Sequence, residues 1–440
     1  MDPYKSRLNR KLRLTIMISL FLLFFIISPI VIMYTAGYRY DFFNHEIKET
    51  GVLNIDIKPN DADVFLNDVK LSKKIPIYLP NRAPGNYNIK ISKPGYKTWE
   101  KEIKIESKKT TYIKNLTLLK DSELKPINVD DTKEKIENFY SSTNGKFIFL
   151  LYKDNNIYEI KLFDTEKNSI VPISRFSSET KPKIIWSPFA DFALIIKNNN
   201  NQSVLEIINT KDLKNSQSFY YNDVENIQWG MSQNTAKIYI QNENKQLLSI
   251  ENGSEQYITK LKFDNWYVDE KNNIWYWDKS NKEIKSEDEE KTFPIEKNID
   301  KFISINENRI IFQDENTTSV INLKDKENNF ENFDTSNILY NRSTSEWLTW
   351  SNWEIWSIYS DGSVSMLNRT SKKINIIEPM DNYGVILLAN SKNLTVFNPG
   401  YYISHEILNR DDINITNISV NQDLRKIFLL SNNSLYELDY

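Results

Sequence analysis

The sequence predicts an all-β protein with one N-terminal transmembrane helix, a small β-sandwich after it, and a seven- or eight-bladed β-propeller filling the remainder. Three observations carry this reading. An uncharged run extends from Leu14 to Tyr38. A stretch of roughly 70 residues alternates with the period of strands. A pattern of short strands then recurs about every 40 residues to the C-terminus, the period of a propeller blade.

The apolar run comes first. Leu20 to Ile27 is continuously apolar, and Pro29 sits near the outer end, where a membrane helix tolerates proline. About 20 such residues cross a hydrocarbon core of roughly 30 Å. Lys5, Arg7, Arg10, Lys11 and Arg13 precede the run against Asp2 alone, a formal +4. Positive-inside asymmetry therefore predicts a cytoplasmic tail at 1–13, a signal anchor at 14–36 and an extracytoplasmic body. With −3 for the whole chain and +4 before the span, the body carries −7, which argues against a nucleic-acid partner. A cleaved signal peptide is the rival reading. The run exceeds the usual h-region, and Tyr34-Thr35-Ala36 is a poor cleavage site. A tail of 13 residues is too short for a signalling module.

After a juxtamembrane linker at 37–49, residues 50–119 read as a small antiparallel sandwich. Leu53, Ile55 and Ile57 alternate with Val52, Asn54 and Asp56 until Pro59 breaks the run. Further strands are expected at Asp63–Leu66, Tyr87–Ile91, Trp99–Ile105 and Thr110–Leu118. Pro84-Gly85 and Pro94-Gly95 supply turns. Tyr96 and Trp99 are expected to fill the small core, with ligand stacking by Trp99 as the minor alternative.

Gly51-x-Leu53, Pro59-Asn60-Asp61-Ala62-x-Val64, Pro84-Gly85-x-Tyr87 and Pro94-Gly95-Tyr96-x-x-Trp99 together resemble the PEGA domains. Asn60-Asp61 replaces the middle of the family's Pro-Glu-Gly-Ala turn. Anchor, Gly37-Tyr38-Arg39-Tyr40-Asp41, PEGA-like domain and long β tail also resemble a group of bacterial surface proteins. The resemblance implies an extracytoplasmic β-sandwich used as a spacer or for binding, with no catalytic residues to carry over.

Residues 120–440 carry the repeat. Apolar strands such as Phe147–Leu151, Phe192–Ile196, Lys237–Ile240, Ile310–Phe312 and Ile427–Leu430 suit buried inner strands of blades. Asp361-Gly362 marks a hairpin. Aligning the turn before each long strand puts Ser141, Ser187, Gly230, Asp269, Asn306, Ser351, Asp381 and Asn421 in register, eight units with a short seventh. The last unit lacks an outer strand, which Leu124–Val129 can supply, closing the ring. Two packed sheets are the alternative.

Composition narrows the chemistry. With no cysteine there is no disulfide, thiolate metal site or cysteine nucleophile. The only two histidines, His45 and His405, lie in no recognisable motif, and His45 reads as solvated. The abundant Asn reads as compositional bias, and triplets at Asn115, Asn316 and Asn393 as chance matches to a glycosylation signal. Trp347, Trp350, Trp353 and Trp356 are spaced three apart. They read chiefly as wedges between blades, with stacking on sugar as the alternative. Asp130-Asp131, Asp264 with Asp269, and Asp411-Asp412 lack a calcium-loop spacing and read as turn residues, and Ser286–Lys291 as an outer loop.

No catalytic, cofactor-binding or metal-ligating residue is assigned, and no cofactor. The expected function is a non-catalytic, membrane-anchored extracytoplasmic scaffold or binding protein at the bacterial cell surface. Its propeller would bind a cell-envelope polysaccharide or a surface protein. An extracytoplasmic glycan hydrolase or lyase on a propeller is the alternative, favoured by a pair of carboxylates facing the ring centre.

Overall fold

The computed structural model describes residues 9–42, 44–128, 135–188, 191–199, 202–230, 235–287, 292–324 and 330–440. The chain divides into two compact units, Met1–Ser122 and Glu123–Tyr440.

The first unit opens with helix α1 (Arg10–Thr35), long and apolar enough to cross a membrane. None of its residues is buried, so no protein surface covers its apolar side chains. The juxtamembrane stretch carries a hairpin, β1 (Tyr38–Asp41) with β2 (Glu46–Glu49). The sandwich follows as β3 (Gly51–Lys58), β4 (Asp63–Leu66), β5 (Val69–Lys70), β6 (Ile77–Arg82), β7 (Gly85–Ser92), β8 (Trp99–Ile105) and β9 (Thr110–Thr117). One sheet has the order β6-β3-β9 and the other β5-β4-β7-β8.

The strand period of β3 translates directly into burial: Leu53, Ile55 and Ile57 face the core while Asp56 and Lys58 face water. Two details differ from the sequence reading. The sheet is not wholly antiparallel, because β3 and β9 run parallel. Strand β6 was also missed, since Pro80 and the polar Asn81-Arg82 mask its apolar Ile77 and Leu79. Trp99 is fully in the core, and Tyr96 is partly buried beneath Lys93, whose Nζ lies 5.3 Å from the ring centroid.

The second unit is a propeller of eight four-stranded antiparallel sheets among the described residues. Blades one to seven span 136–177, 183–221, 224–260, 266–294, 301–333, 338–369 and 376–409, each a simple meander. Blade eight takes three strands from 415–439 and its fourth from β10 (Lys125–Pro126), which pairs with Glu437 and Tyr436. The C-terminal blade is thus completed by chain from the N-terminal side of the array. First strands approach one another around the ring, and the first strand of blade one touches those of both blade two and blade eight.

The long apolar strands are the second strand of each blade, not the innermost. In Phe147–Asp154, five consecutive residues from Ile148 to Tyr152 are buried because neighbouring blades cover both faces. Ile148, Leu150 and Tyr152 pack toward blade eight, and Phe149 and Leu151 toward blade two. Each such side chain contributes roughly 1.5–3 kcal/mol of burial.

The repeat register needs correction in three blades, most of all in blade six. In blade six the first strand is Ile338–Asn341 and the second Glu346–Trp350, so the turn between them is 342–345. Ser351 lies one strand later, in the next hairpin. The tryptophan-rich second strand looks like a short first strand in sequence. With Asn341 in register the seventh unit is no longer short. Blades one and seven also shift by one residue, because the backbone pairs closing the turn are Ser142 with Phe147 and Met380 with Val385.

Several of these turns share one device. The side-chain oxygens of Asp269, Asn306, Asp381 and Asn421 each accept two backbone N–H groups of the following loop. That is the local bond for which Asn and Asp are suited. Of eighteen described non-glycine residues with positive φ, nine are Asn, filling positions that ten glycines leave open.

Candidate functional site

The tryptophan quartet is distributed by strand geometry. Trp347 pairs with Ile358, and Trp356 with Thr349; both rings pack toward blade five, Trp356 with its centroid 5.0 Å from Phe333. Trp350 pairs with Ile355 and packs into the apolar seam with blade seven, 7% exposed. Three of the four are therefore wedges. Trp353 lies in the turn between second and third strands and is 48% exposed. Its turn is fixed by Ser351 Oγ, which accepts the N–H of Trp353 at 3.2 Å and of Glu354 at 3.1 Å.

Between blades six and seven the chain forms a cleft of about 270 Å³. The linker 370–374 makes one wall, tied to the tryptophan turn by Thr370 N–H donating to Trp353 O (2.8 Å) and Ile374 N–H to Asn352 O (2.8 Å). The other wall is blade seven, which contributes Asn393, Thr395, Ser404 and Glu406. Glu406 accepts Asn393 Nδ2 at 2.5 Å and Asn409 Nδ2 at 3.0 Å, and it pairs with Lys372. Lys372, followed by the two amides, holds its carboxyl below the ordinary value. An ionised, triply engaged carboxylate accepts hydrogen bonds but is a poor proton donor. Thr395 Oγ1 donates to Asn393 Oδ1 (2.7 Å), fixing the amide's orientation. A wall of fixed hydroxyl, amide and ionic groups is suited to a ligand with many hydroxyls.

Two further clefts are lined differently. A groove of about 740 Å³ over blades one to three is lined by groups such as Asn156, Thr180, Gln202 and Asp223, with no aromatic residue. A cleft of about 280 Å³ between blades three and four is lined by Tyr239, Tyr257 and Ile258 together with the polar Lys237, Ser249, Gln256 and Asn272.

On the innermost strands, the position opposite Phe149, Leu194, Tyr239, Trp275, Ile311, Leu348, Leu387 and Phe428 forms one layer. Its polar members are Tyr140, Gln228, Tyr267, Ser304, Glu378 and Ser419, a single carboxylate. Burial pushes the Glu378 carboxyl up to about 8. The other first-strand carboxylates are engaged, Glu137 by Lys181 at 3.0 Å and Glu225 by Gln241.

The acidic pairs are dispersed. Asp264 meets Lys245 at 2.7 Å, while Asp269 accepts Trp275 Nε1 at 2.9 Å in a turn. Asp411 pairs with Lys392 at 2.9 Å, and Asp412 with Arg410. Asp130-Asp131 lie outside the described residues, as do residues 288–291 of the acidic run. Ser286 ends a buried strand and is not part of a loop. His405 lies on the outer strand of blade seven. His45 sits in the β1–β2 turn, its Nδ1 3.2 Å from Tyr40 Oη. Asn393, read as a chance glycosylation triplet, is a buried wall of the cleft. Lys372, Thr395 and Glu406 were missed altogether. Linker, strand and outer strand meet only through the blade register, so no local motif marks them.

This fold is that of an all-β protein with one apolar N-terminal helix, a sandwich and a propeller. Within it, residues 50–120 match the PEGA domain family. A crystal structure of the WD40 domain of SCAP from fission yeast is similar over 73% of this chain and 98% of that one. The two are 12% identical, with a TM-score of 0.39. No curated protein matches the chain.

Proposed function

We propose that this is a non-catalytic, membrane-anchored binding protein whose body lies outside the cytoplasm and whose propeller holds a cell-envelope polysaccharide. The observation that carries the reading is the polar cleft between blades six and seven, whose linker wall is hydrogen-bonded to the turn that bears the exposed Trp353. Sugar rings offer an apolar face to such an indole and hydroxyls to Asn393, Thr395 and Glu406. The basic residues that precede the uncharged run support the topology. Glycoside hydrolysis ordinarily needs two carboxylates across the bond, and Glu406, held ionised, makes a poor acid.

The test is binding of purified envelope polysaccharide to the chain in nanodiscs. Trp353→Ala should weaken it at least ten-fold, the order expected of an aromatic anchor at a binding surface. Unchanged binding moves the site elsewhere, and release of reducing ends would show a hydrolase. Protease added to intact cells should remove the body, whereas full protection would reverse the topology.

A further inference from the structure

We propose that the β1–β2 hairpin is a lipid-binding element, its apolar face lying in the headgroup region of the bilayer that α1 enters. The hairpin is amphipathic. Tyr40 and Ile47 are cross-strand partners, so both project from one face. Phe42 extends that face at the tip, its ring centroid 5.0 Å from that of Tyr40. The opposite face is charged: Arg39 faces Lys48, and Asp41 faces Glu46, with Lys48 and Asp41 joined at 2.6 Å.

The apolar face is uncovered in the chain: Phe42 is 78% exposed, Ile47 54% and Tyr40 48%. The rest of the hairpin is bonded to the sandwich, Arg39 Nε donating to Asn81 Oδ1 at 2.7 Å and Lys108 Nζ to Tyr38 Oη at 2.6 Å, and it is the apolar face alone that lacks a surface to pack against. The surface at hand is fixed by position. α1 ends at Thr35 and β1 begins at Tyr38. The Arg39 guanidinium lies 3.7 Å from the Tyr34 ring centroid, and its Nη1 donates to the carbonyls of Tyr34 (2.6 Å) and Tyr38 (2.7 Å). This clamp holds the hairpin at the last turn of the helix, with no free linker between them. A helix that crosses the bilayer ends at the interface, where amphipathic aromatic side chains concentrate.

The inference rests on α1 spanning the membrane, and the experiment separates the two. The chain has no cysteine, so one introduced cysteine is the only labelling site. Spin labels are placed singly at Ile26→Cys in the helix, Phe42→Cys and Ile47→Cys on the apolar face, Lys48→Cys on the charged face, and Val69→Cys as an exposed sandwich control. The full chain is reconstituted in phosphatidylcholine vesicles. Collision with oxygen relative to a water-soluble nickel chelate should be several-fold higher at 42 and 47 than at 69, with 48 resembling 69. Water-like values at 42 and 47 beside a lipid value at 26 would overturn the proposal and leave the anchor standing. A water-like value at 26 would remove both. Spin–spin broadening at 42 and 47 would mean that a second copy covers the face, which also overturns it. A label that unfolds the chain is replaced by Phe42→Ser with Ile47→Ser, read by the ratio at a Tyr40→Cys label on the same face. The two serines should bring the ratio at 40 down toward that at 69, and no change would count against the hairpin's lipid contact.

Discussion

Asn421 Nδ2 donates to Thr165 Oγ1 at 2.8 Å, joining blade eight to blade one across the seam where the array closes. Both residues are buried, and Asn421 Oδ1 also accepts the N–H groups of Asp423 and Leu424. Ser141 and Ser419 meet at 2.5 Å on the same seam. An array of repeats otherwise has only neighbour contacts, so this seam is what makes it a ring.

Asn421→Ala removes three hydrogen bonds from a buried site, and an unmet buried group costs about 1–3 kcal/mol. The variant should lose roughly that amount in urea unfolding. Asn306→Ala, which breaks the same kind of turn in blade five away from the seam, should cost less. Equal losses would show that the turn, not the closure, is what Asn421 supplies.

Gly145 is a second probe of the seam. It has φ +65°, and a Cβ there would stand 2.2 Å from Val420 O of blade eight. Backbone does not yield as a side-chain tip does, so Gly145→Ala should fall among severely destabilising changes, above about 3 kcal/mol. Gly95, also at positive φ but with open space around it, should cost less on the same change. The two melting temperatures decide it.

Trp350 and Trp353 separate packing from surface. Trp350→Ala empties a buried site between blades six and seven and should cost about 3–5 kcal/mol. Trp353→Ala should stay within about 0.5 kcal/mol of the parent. A large loss from Trp353→Ala would make it a structural residue and remove the exposed indole as a binding feature.

The same pair shows what the sequence makes legible. A spacing of three in strands alternates faces, so wedges on both sides of a blade were readable, as were the period and the closing strand near Leu124. Which tryptophan sits in a turn was not, because Glu346–Trp350 mimics a short first strand and displaces the register to Ser351. The abundant Asn carried a structural meaning that composition hides: Asn421 and Asn306 bond their own turns, and Asn155 and Asn432 take positive φ. The cleft was illegible because Lys372, Asn393 and Glu406 converge only through blade packing.

Removing the closing strand tests the ring as a whole. β10 pairs with Glu437 and Tyr436, and Ile127 N–H donates to Leu435 O at 2.9 Å. Ile127 also packs on the cluster shared by blades one and eight. Without these residues the third strand of blade eight becomes an open edge that invites pairing with other chains. A chain starting at 135 should aggregate or melt earlier than one starting at 123. Equal stability and solubility would show that three strands suffice in blade eight.

The last prediction concerns Glu378, a carboxyl that retains some accessible area yet is crowded on all sides by protein on its innermost strand. Burial raises its value from the ordinary 4.5 to about 8. The folded chain therefore holds this proton where the unfolded chain has released it. Its contribution is full below pH 4.5, declines as pH rises, and is lost above pH 8. Glu378→Gln keeps the shape without the charge. The stability of Glu378→Gln relative to the parent should therefore rise between pH 5 and 8, measured as the difference between two urea-unfolding series. Subtracting the two curves cancels the other titrating groups. A flat difference would mean that water reaches and solvates the carboxylate, so that the innermost strands enclose an open polar channel.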